Sequence, residues 1–404
     1  MSIFVGIVGL GFLVLIHEAG HFFAARAVGM NPRKFYLGFP PAIVKMTRGG
    51  IEYGVGAIPL GGYVKIPGMH RPAAGDIDVH FAPAAHEDAS LLAPLDAVKR
   101  RLAADDVDSA REASAALGAA VEAAELSPGA RASAKRGLAD LADATGPDAY
   151  WRQRAWKRIF VIFAGPGTNL LFAIVIFAVL FMLGGGKATT TVGEVMAGTP
   201  AATSGLQAGD KILAIDGTPV RPADIPRIIS SSKGHALVVR VERDHHVRTI
   251  GPVRPKKTSG VYRLGFVLKG RGLSPPAAFK ESVRLTGLVS KDIVTSLANL
   301  VHQSGRKQIS SPVGIVQGSS TAVKQGTQSY LWVLGLISLS LALLNLLPLL
   351  PLDGGHIFFS LLEGVRGRAV PRVVYERFSA LGIALVLMLF FIGLSNDVGR
   401  LGGG

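Results

Sequence analysis

His17, Glu18 and His21 stand in the run His17-Glu18-Ala19-Gly20-His21. On a helix, residues four apart share a face, so both imidazoles can reach one metal ion while Glu18 lies beside it. Imidazole nitrogens bind zinc at about 2.0–2.1 Å, and a catalytic zinc keeps one position open for water. Glu18 would take the proton of that water as it attacks a carbonyl carbon. A run of this form also arises by chance, and two histidines in a helix bundle can be purely structural. Here the run interrupts an apolar stretch, Ser2 to Ile16 before it and Phe22 to Ala25 after it. An ionisable group inside a bilayer costs at least about 2.5 kcal/mol, which favours function over structure.

A third ligand has to come from another part of the chain. The apolar stretch Tyr330 to Leu352 closes on Asn345-Leu346-Leu347-Pro348-Leu349-Leu350-Pro351-Leu352-Asp353-Gly354-Gly355-His356. Asp353 is the carboxylate that directly closes this span, and His356 competes with it as a ligand. The prolines and glycines would unwind the helix there, which a membrane tolerates only where the backbone lines a cavity or is buried in protein.

The elements that must position these groups are membrane helices. The 404 residues are 49% hydrophobic and only 18% charged, with no cysteine and a formal charge of +15. The mean hydropathy of +0.38 is too high for an ordinary soluble chain. Lack of cysteine excludes disulfide scaffolds, thiolate zinc sites and cysteine nucleophiles. Four spans are expected: the first through the His-Glu run, Ile159 to Leu183, Tyr330 to Leu352 and Phe378 to Ser395. Ala25-Arg26-Ala27 has the form of a signal-peptide cleavage site, but no basic segment precedes the apolar run, so a retained span is preferred.

A sequence pI near 10.2 raises nucleic-acid binding, which the placement of the charge rejects. Residues 71–150 hold 14 acids and 8 bases, a net of −6, which leaves +21 elsewhere. The bases cluster beside apolar runs: Arg26, Arg33 and Lys34; Arg152, Arg154, Lys157 and Arg158; Arg366, Arg368, Arg372 and Arg377. The positive-inside bias puts these loops in the cytoplasm, with both termini and residues 184–329 outside.

Between the spans, residues 190–270 alternate β-branched runs with Gly, Pro and Asp turns, as a small β-rich domain would. Gly198 to Val220 resembles the core of a PDZ domain, with Gly209-Asp210 opening the strand Lys211 to Ile215 and Asp216-Gly217 turning out of it. Such domains take peptide ends by strand addition, although a spacer or size filter fits as well. Residues 71–150 read as alanine-rich helices punctuated by Pro128-Gly129 and Gly146-Pro147, with His80 and His86 as ordinary surface histidines. The glycine-broken strand character of Gly49 to Lys65 reads, on composition alone, as a plain hairpin.

With these motifs assembled, the chain resembles the site-2 protease family of intramembrane zinc metalloproteases, and most of all the bacterial branch that releases sigma factors from membrane-bound anti-sigma proteins. The resemblance rests on HEAGH, on NLLPLLPLDGGH and on the PDZ-like domain between the second and third spans, and it covers nearly everything except residues 71–150. It implies one zinc per chain held by His17, His21 and Asp353, with Glu18 as general base. It implies that Asn345 holds the substrate carbonyl or its developing oxyanion. Ala164-Gly165-Pro166-Gly167-Thr168-Asn169 looks like the family's GPxxN motif, which puts Asn169 near the substrate backbone; a hydrogen bond between helices is the equal alternative. Ile58 to Lys65 looks like the family's re-entrant β loop, which replaces the plain-hairpin reading and adds Gly61, Gly62 and Tyr63, with Pro348 and Pro351, to the substrate-contacting set. Ser311-Pro312-Val313-Gly314-Ile315 resembles the stretch leading into the third span.

The expected fold is therefore a polytopic α-helical membrane protein of four transmembrane helices with a re-entrant β loop, a cytoplasmic helical insert and an extracytoplasmic PDZ-like β-rich domain. In order, the first span takes 1–28, the β loop 29–70, the acidic insert 71–150, the second span 151–185 and the PDZ-like domain 186–272. An amphipathic linker at 273–328, the third span at 329–356, a basic loop at 357–377 and the fourth span with its tail at 378–404 complete the chain. The expected function is cleavage within the span of a pre-trimmed single-span protein, resembling an anti-sigma factor, in a bacterial inner membrane. A silent PDZ-bearing scaffold or metal-binding receptor is the alternative, disfavoured by the complete set His17, Glu18, His21 and Asp353. The insert either gates access, binds a regulator or is passive, the last being preferred.

Overall fold

The computed structural model describes residues 2–258, 260–298 and 311–402, in two compact units. Four helices are long and apolar enough to cross a membrane: Ser2–Ala27, Ala155–Gly185, Thr327–Asn345 and Val373–Gly399. With a β-rich region between the second and third, they make this a membrane protein carrying a β domain.

The first unit takes 1–171, 292–326 and 336–404. Helix α1 (Ser2–Ala27) runs unbroken through the His-Glu run. Strands β1 (Lys34–Arg48) and β2 (Ile51–Lys65) follow, turned by Gly49 and Gly50 at positive φ, where glycine carries no steric cost. Both are long enough to fold back on themselves. Ala42 to Arg48 pairs with Gly56 to Ile51, while Lys34 to Leu37 lies between two partners, Glu52 to Val55 on one side and Lys65 to Gly62 on the other. Gly62 to Lys65 therefore forms an outer edge of this small sheet, and among the described residues its recorded strand partners lie on one side only.

The insert forms helices α2 (Ala74–Glu87), α3 (Leu92–Ala103), α4 (Val107–Ala123) and α5 (Pro128–Thr145). Side-chain caps from Asp106 and Ser127 satisfy backbone N–H groups at the starts of α4 and α5. Its core is its own: Ile77, Phe81, Leu91, Leu95, Val98, Leu102, Leu117, Val121 and Leu141 pack together. The two ends of the insert meet, since Tyr150 N donates to Pro67 O (2.9 Å) and Trp151 N to Gly68 O (3.1 Å).

Helix α6 (Ala155–Leu180) begins in this unit and runs into the second, which takes 172–291 and 327–335. There a sheet with the order β10-β3-β4-β6-β7 is built from β3 (Lys187–Val195), β4 (Lys211–Ile215), β6 (Leu237–Arg243), β7 (His246–Val253) and β10 (Phe266–Arg271), with β5 (Thr218–Pro219) paired to β4. A short helix α7 (Pro200–Thr203) precedes β4, and β8 (Lys256–Thr258) and β9 (Val261–Arg263) make a separate hairpin. Asp216 and Gly217, both at positive φ, form the two-residue turn between β4 and β5, as the Asp-Gly pair predicts. Helix α8 (Asp224–Ser231) contributes Ile225 and Ile229, four residues apart, to the same core as Ile212, Ile215, Val239 and Val241.

The linker stretch contains α9 (Pro275–Ala298) and α10 (Pro312–Lys324), while residues 299–310 lie outside the described ones. Two boundaries are corrected. The third span, expected to reach Leu352 within a segment ending at 356, is a helix α11 (Thr327–Asn345) that stops at Asn345. Pro348 and Pro351 lack N–H groups and force their preceding residues out of helical geometry, so 346–352 is irregular. The expected basic loop 357–377 is instead helical through α12 (Asp353–Arg366), which ends at Gly367 in the left-handed conformation, and α13 (Arg372–Gly402) begins within it. Apolar Ile357, Phe359 and Leu362 give α12 residues to pack, which a count of its flanking arginines hides.

Candidate metal centre and substrate strand

On α1, His17 and His21 are both buried, and their Nε2 atoms lie 3.3 Å apart. Asp353, the first residue of α12, brings Oδ2 to 3.1 Å from His17 Nε2 and 3.4 Å from His21 Nε2. Among the described residues these three form the one group whose donor atoms all lie within 4.8 Å of one another. Tetrahedral ligands about 2.0–2.1 Å from zinc stand about 3.3–3.4 Å apart, so the triangle has the edge length such an ion requires. Asp353 Oδ2 is also buried with no hydrogen bond of normal geometry. An orphaned carboxylate oxygen facing two imidazole nitrogens is accounted for by a shared cation. His356, the competing ligand, is not part of the group; its ring faces His70, with centroids 6.2 Å apart.

The outer nitrogens of both histidines are also held. His21 Nδ1 donates to Val161 O at 2.9 Å, which leaves Nε2 free as a ligand. His17 Nδ1 lies 3.3 Å from the side-chain nitrogen of Asn169, while Asn169 Oδ1 is buried without a partner. With Nε2 committed to a metal, Nδ1 carries the proton and needs an acceptor. A half-turn of the amide puts Oδ1 there and satisfies both groups. Asn169 is fully buried, and its backbone oxygen accepts from Ser338 Oγ at 2.8 Å. Asn169 thus reaches from α6 to His17 on α1, a contact between helices.

Close approach of α1 and α6 makes this possible. A Cβ on Gly165 would overlap the His21 ring, and one on Gly20 would overlap the backbone of Ala164. Thr168 Oγ1 donates to Ile16 O at 3.0 Å across the same crossing. The sequence reading allowed the glycines of the Ala164 to Asn169 run to bring helices close, but gave no role to Gly20, Thr168, Val161 or Ser338. The small-residue run Ala164-Gly165-Pro166-Gly167 was the available signal for the close crossing that brings in Gly20 and Thr168. Val161 acts through its carbonyl, which no side chain announces.

Asp353 is presented by a reversal of the chain. A Cβ on Gly355 would come within 2.6 Å of Leu350 N, so the folded-back 346–355 segment requires glycine there. Helix α12 is then tied to α6 by a largely buried ion pair, Arg158 Nη1 to Glu363 Oε2 at 2.6 Å, and Tyr150 Oη lies 3.2 Å from Ser360 Oγ. Glu363 Oε1 also accepts from Val370 N. Asn345 is the last residue of α11, half-buried, with Pro348 and Pro351 exposed on the connection to Asp353.

The edge strand meets the site at Gly62. A Cβ there would lie 2.9 Å from Glu18 Cγ and 2.8 Å from Tyr36 O, so the position admits no larger residue without a shift. Gly61 is similarly close to the Phe39 ring, and Tyr63 stacks on Tyr36 with centroids 5.2 Å apart. A cavity of about 840 Å³ opens along Tyr63 to Ile66 and reaches Pro351 and His356.

The sequence pattern of peptidase family M50 matches residues 5–389. Among curated proteins, a Rhizobium meliloti protein provisionally named a zinc metalloprotease is 31% identical over 98% of this chain and 95% of its own. An Agrobacterium fabrum protein of the same provisional name is 30% identical over 98% of this chain and 94% of its own. The metalloprotease MmpA of Caulobacter vibrioides is 29% identical over 97% and 94%.

Proposed function

The chain belongs to peptidase family M50 and is a zinc metalloprotease of the site-2 protease type, and we propose that it cuts peptide bonds inside the membrane span of a single-span protein already trimmed outside the membrane. The observation that carries this reading is the position of Gly62: the outer strand of the small sheet, paired with another strand on one side only among the described residues, comes against Glu18, which stands beside His17 on the same helix. A peptide bond in a membrane helix is shielded by its own hydrogen bonds, so the substrate must be unwound before it is cut. An edge strand replaces those bonds with its own as the segment extends along it.

In this reading His17, His21 and Asp353 hold the zinc, which when bound supplies a Lewis acid for the scissile carbonyl and a water-binding position. Glu18 takes a proton from the attacking water and returns it to the leaving nitrogen. Asn169 keeps His17 in the tautomer whose Nε2 faces the metal. Gly61, Gly62 and Tyr63 lie along the extended backbone. Asn345, at the end of α11, is the amide donor assigned to the developing oxyanion, with Pro348 and Pro351 bordering its approach. The substrate resembles an anti-sigma factor, the process is regulated intramembrane proteolysis, and the setting is a bacterial inner membrane with both termini outside. The β domain outside, PDZ-like in its Gly209 to Gly217 turn chemistry, filters by size or takes the trimmed peptide end.

Co-expression of a tagged single-span substrate with wild type and with Glu18→Gln tests the proposal. Wild type should convert the trimmed form to product, and the variant should accumulate it uncut. Equal conversion by the two would refute the mechanism.

A further inference from the structure

The edge strand is held by few side chains of its own, chiefly the Tyr63 stack on Tyr36 and the packing of Val64. The segment Gly61-Gly62-Tyr63-Val64-Lys65 is glycine-rich and paired on one side, the kind of strand whose register is weakly specified. A slip of one residue would bring Tyr63 to the place where even a Cβ comes within 2.9 Å of Glu18 Cγ. That overlap disfavours the slip, and contacts from outside the strand add to it.

Its lower end is gripped by the helical insert. Lys65 Nζ lies 2.7 Å from Asp140 Oδ1 and 3.1 Å from Asp143 Oδ2, both on α5. Arg33, immediately before β1, places Nε 2.7 Å from Asp143 Oδ1 and Nη1 3.1 Å from Asp148 Oδ2. Arg33 and Lys65 are neighbours across the sheet, since Arg33 N donates to Lys65 O at 2.8 Å. Two cations side by side repel, and Asp143, the most buried of the three carboxylates with its side chain 12% exposed, bridges them. Lys65 is three residues from Gly62, about 10 Å along a strand. The insert has a separate apolar core, so its α5 offers a preformed acidic face rather than one that the strand organises.

We propose that Asp140, Asp143 and Asp148 are positioning residues: through Lys65 and Arg33 they fix the register and height of the edge strand against Glu18, so that the insert is part of the substrate-binding apparatus. This rests on the reading that the edge strand takes the unwound substrate. It replaces the expectation that the insert is passive.

The test uses the full-length protein in bicelles with a reporter span carrying a central Asn-Pro helix breaker. Kinetics and zinc content are measured for wild type, Asp140→Asn/Asp143→Asn, Asp143→Glu and Gly62→Val. A loosened strand weakens ground-state and transition-state pairing alike, so the double variant should raise KM about tenfold with kcat within about twofold and zinc unchanged. Asp143→Glu keeps the bridging charge and should recover most of the loss. A double variant with KM within about twofold of wild type overturns the clamp, as does a fall in kcat at constant KM with a lowered melting point, the mark of a merely structural role. Gly62→Val is the separate control: wild-type KM and kcat in that variant would overturn the edge-strand reading itself.

Discussion

At the proposed zinc site, His17 and His21 are oriented by atoms that are not themselves candidate ligands. One outer nitrogen is held by Val161 O and the other faces Asn169, so both rings present Nε2 to Asp353. Partners of this kind are worth about 10–100-fold in metal affinity. Asn169→Leu should therefore weaken zinc binding by about that factor in competition with a chromophoric chelator, while Asn169→Asp, which keeps an acceptor, should retain most of it. Unchanged affinity in Asn169→Leu would remove Asn169 from the metal site. The two histidines and Glu18 were legible from spacing alone, because i and i+4 coincide on any helix. The role of Asn169 was not, since a buried amide in an apolar span serves a helix contact, a substrate or a metal ligand equally well.

At the scale of elements, strand and turn chemistry explain the β domain. Asp210, at the mouth of β4, is fully buried and receives Arg243 Nε and Nη2, each at 2.6 Å, and Gln207 N at 2.8 Å. Burial pushes its carboxyl up, but the guanidinium and the backbone donor outweigh this and hold it below the ordinary value of about 3.9. A carboxyl lowered on folding stabilises above its unfolded value and loses that contribution as pH falls through the folded one. Amide protection in β4 and β6 of the intact protein should thus persist at pH 5 and fall away in the acid range below about pH 4. Asp210→Asn should cost about 3 kcal/mol at neutral pH and flatten this acid limb. An acid limb as steep as wild type would show that another group carries it. The Gly209-Asp210 and Asp216-Gly217 pairs announced these turns, whereas the partner Arg243 lies 33 residues away and was not signalled. The helical character of α12 within the expected basic loop was not legible because arginines flanking it dominate the local composition; Gly355, which lets the chain double back, and the ion pair of Arg158 with Glu363 decide its place.

Across the whole molecule, the formal +15 resolves into an acidic helical insert of −6 and a remainder of +21 whose arginines stand both beside the apolar helices and in the β domain. The chain has no cysteine, so single-cysteine variants report topology without background. With both arginine-rich loops inside, Lys233→Cys in the β domain should react with an impermeant maleimide in intact cells, and Arg368→Cys should react only after lysis. The opposite pattern would invert the orientation. Residue types and their spacing along the chain determined the protease class and the four apolar helices and nominated His17 and His21 for the proposed zinc site, because helical periodicity, apolar length and motif chemistry are local properties. Tertiary structure alone decided that Asn169 serves His17, that Gly62 abuts Glu18 and that the insert's carboxylates grip Lys65 and Arg33. These contacts join residues 40 to more than 150 positions apart, and no local pattern encodes which distant groups the packing of helices and strands will bring within a hydrogen bond of one another.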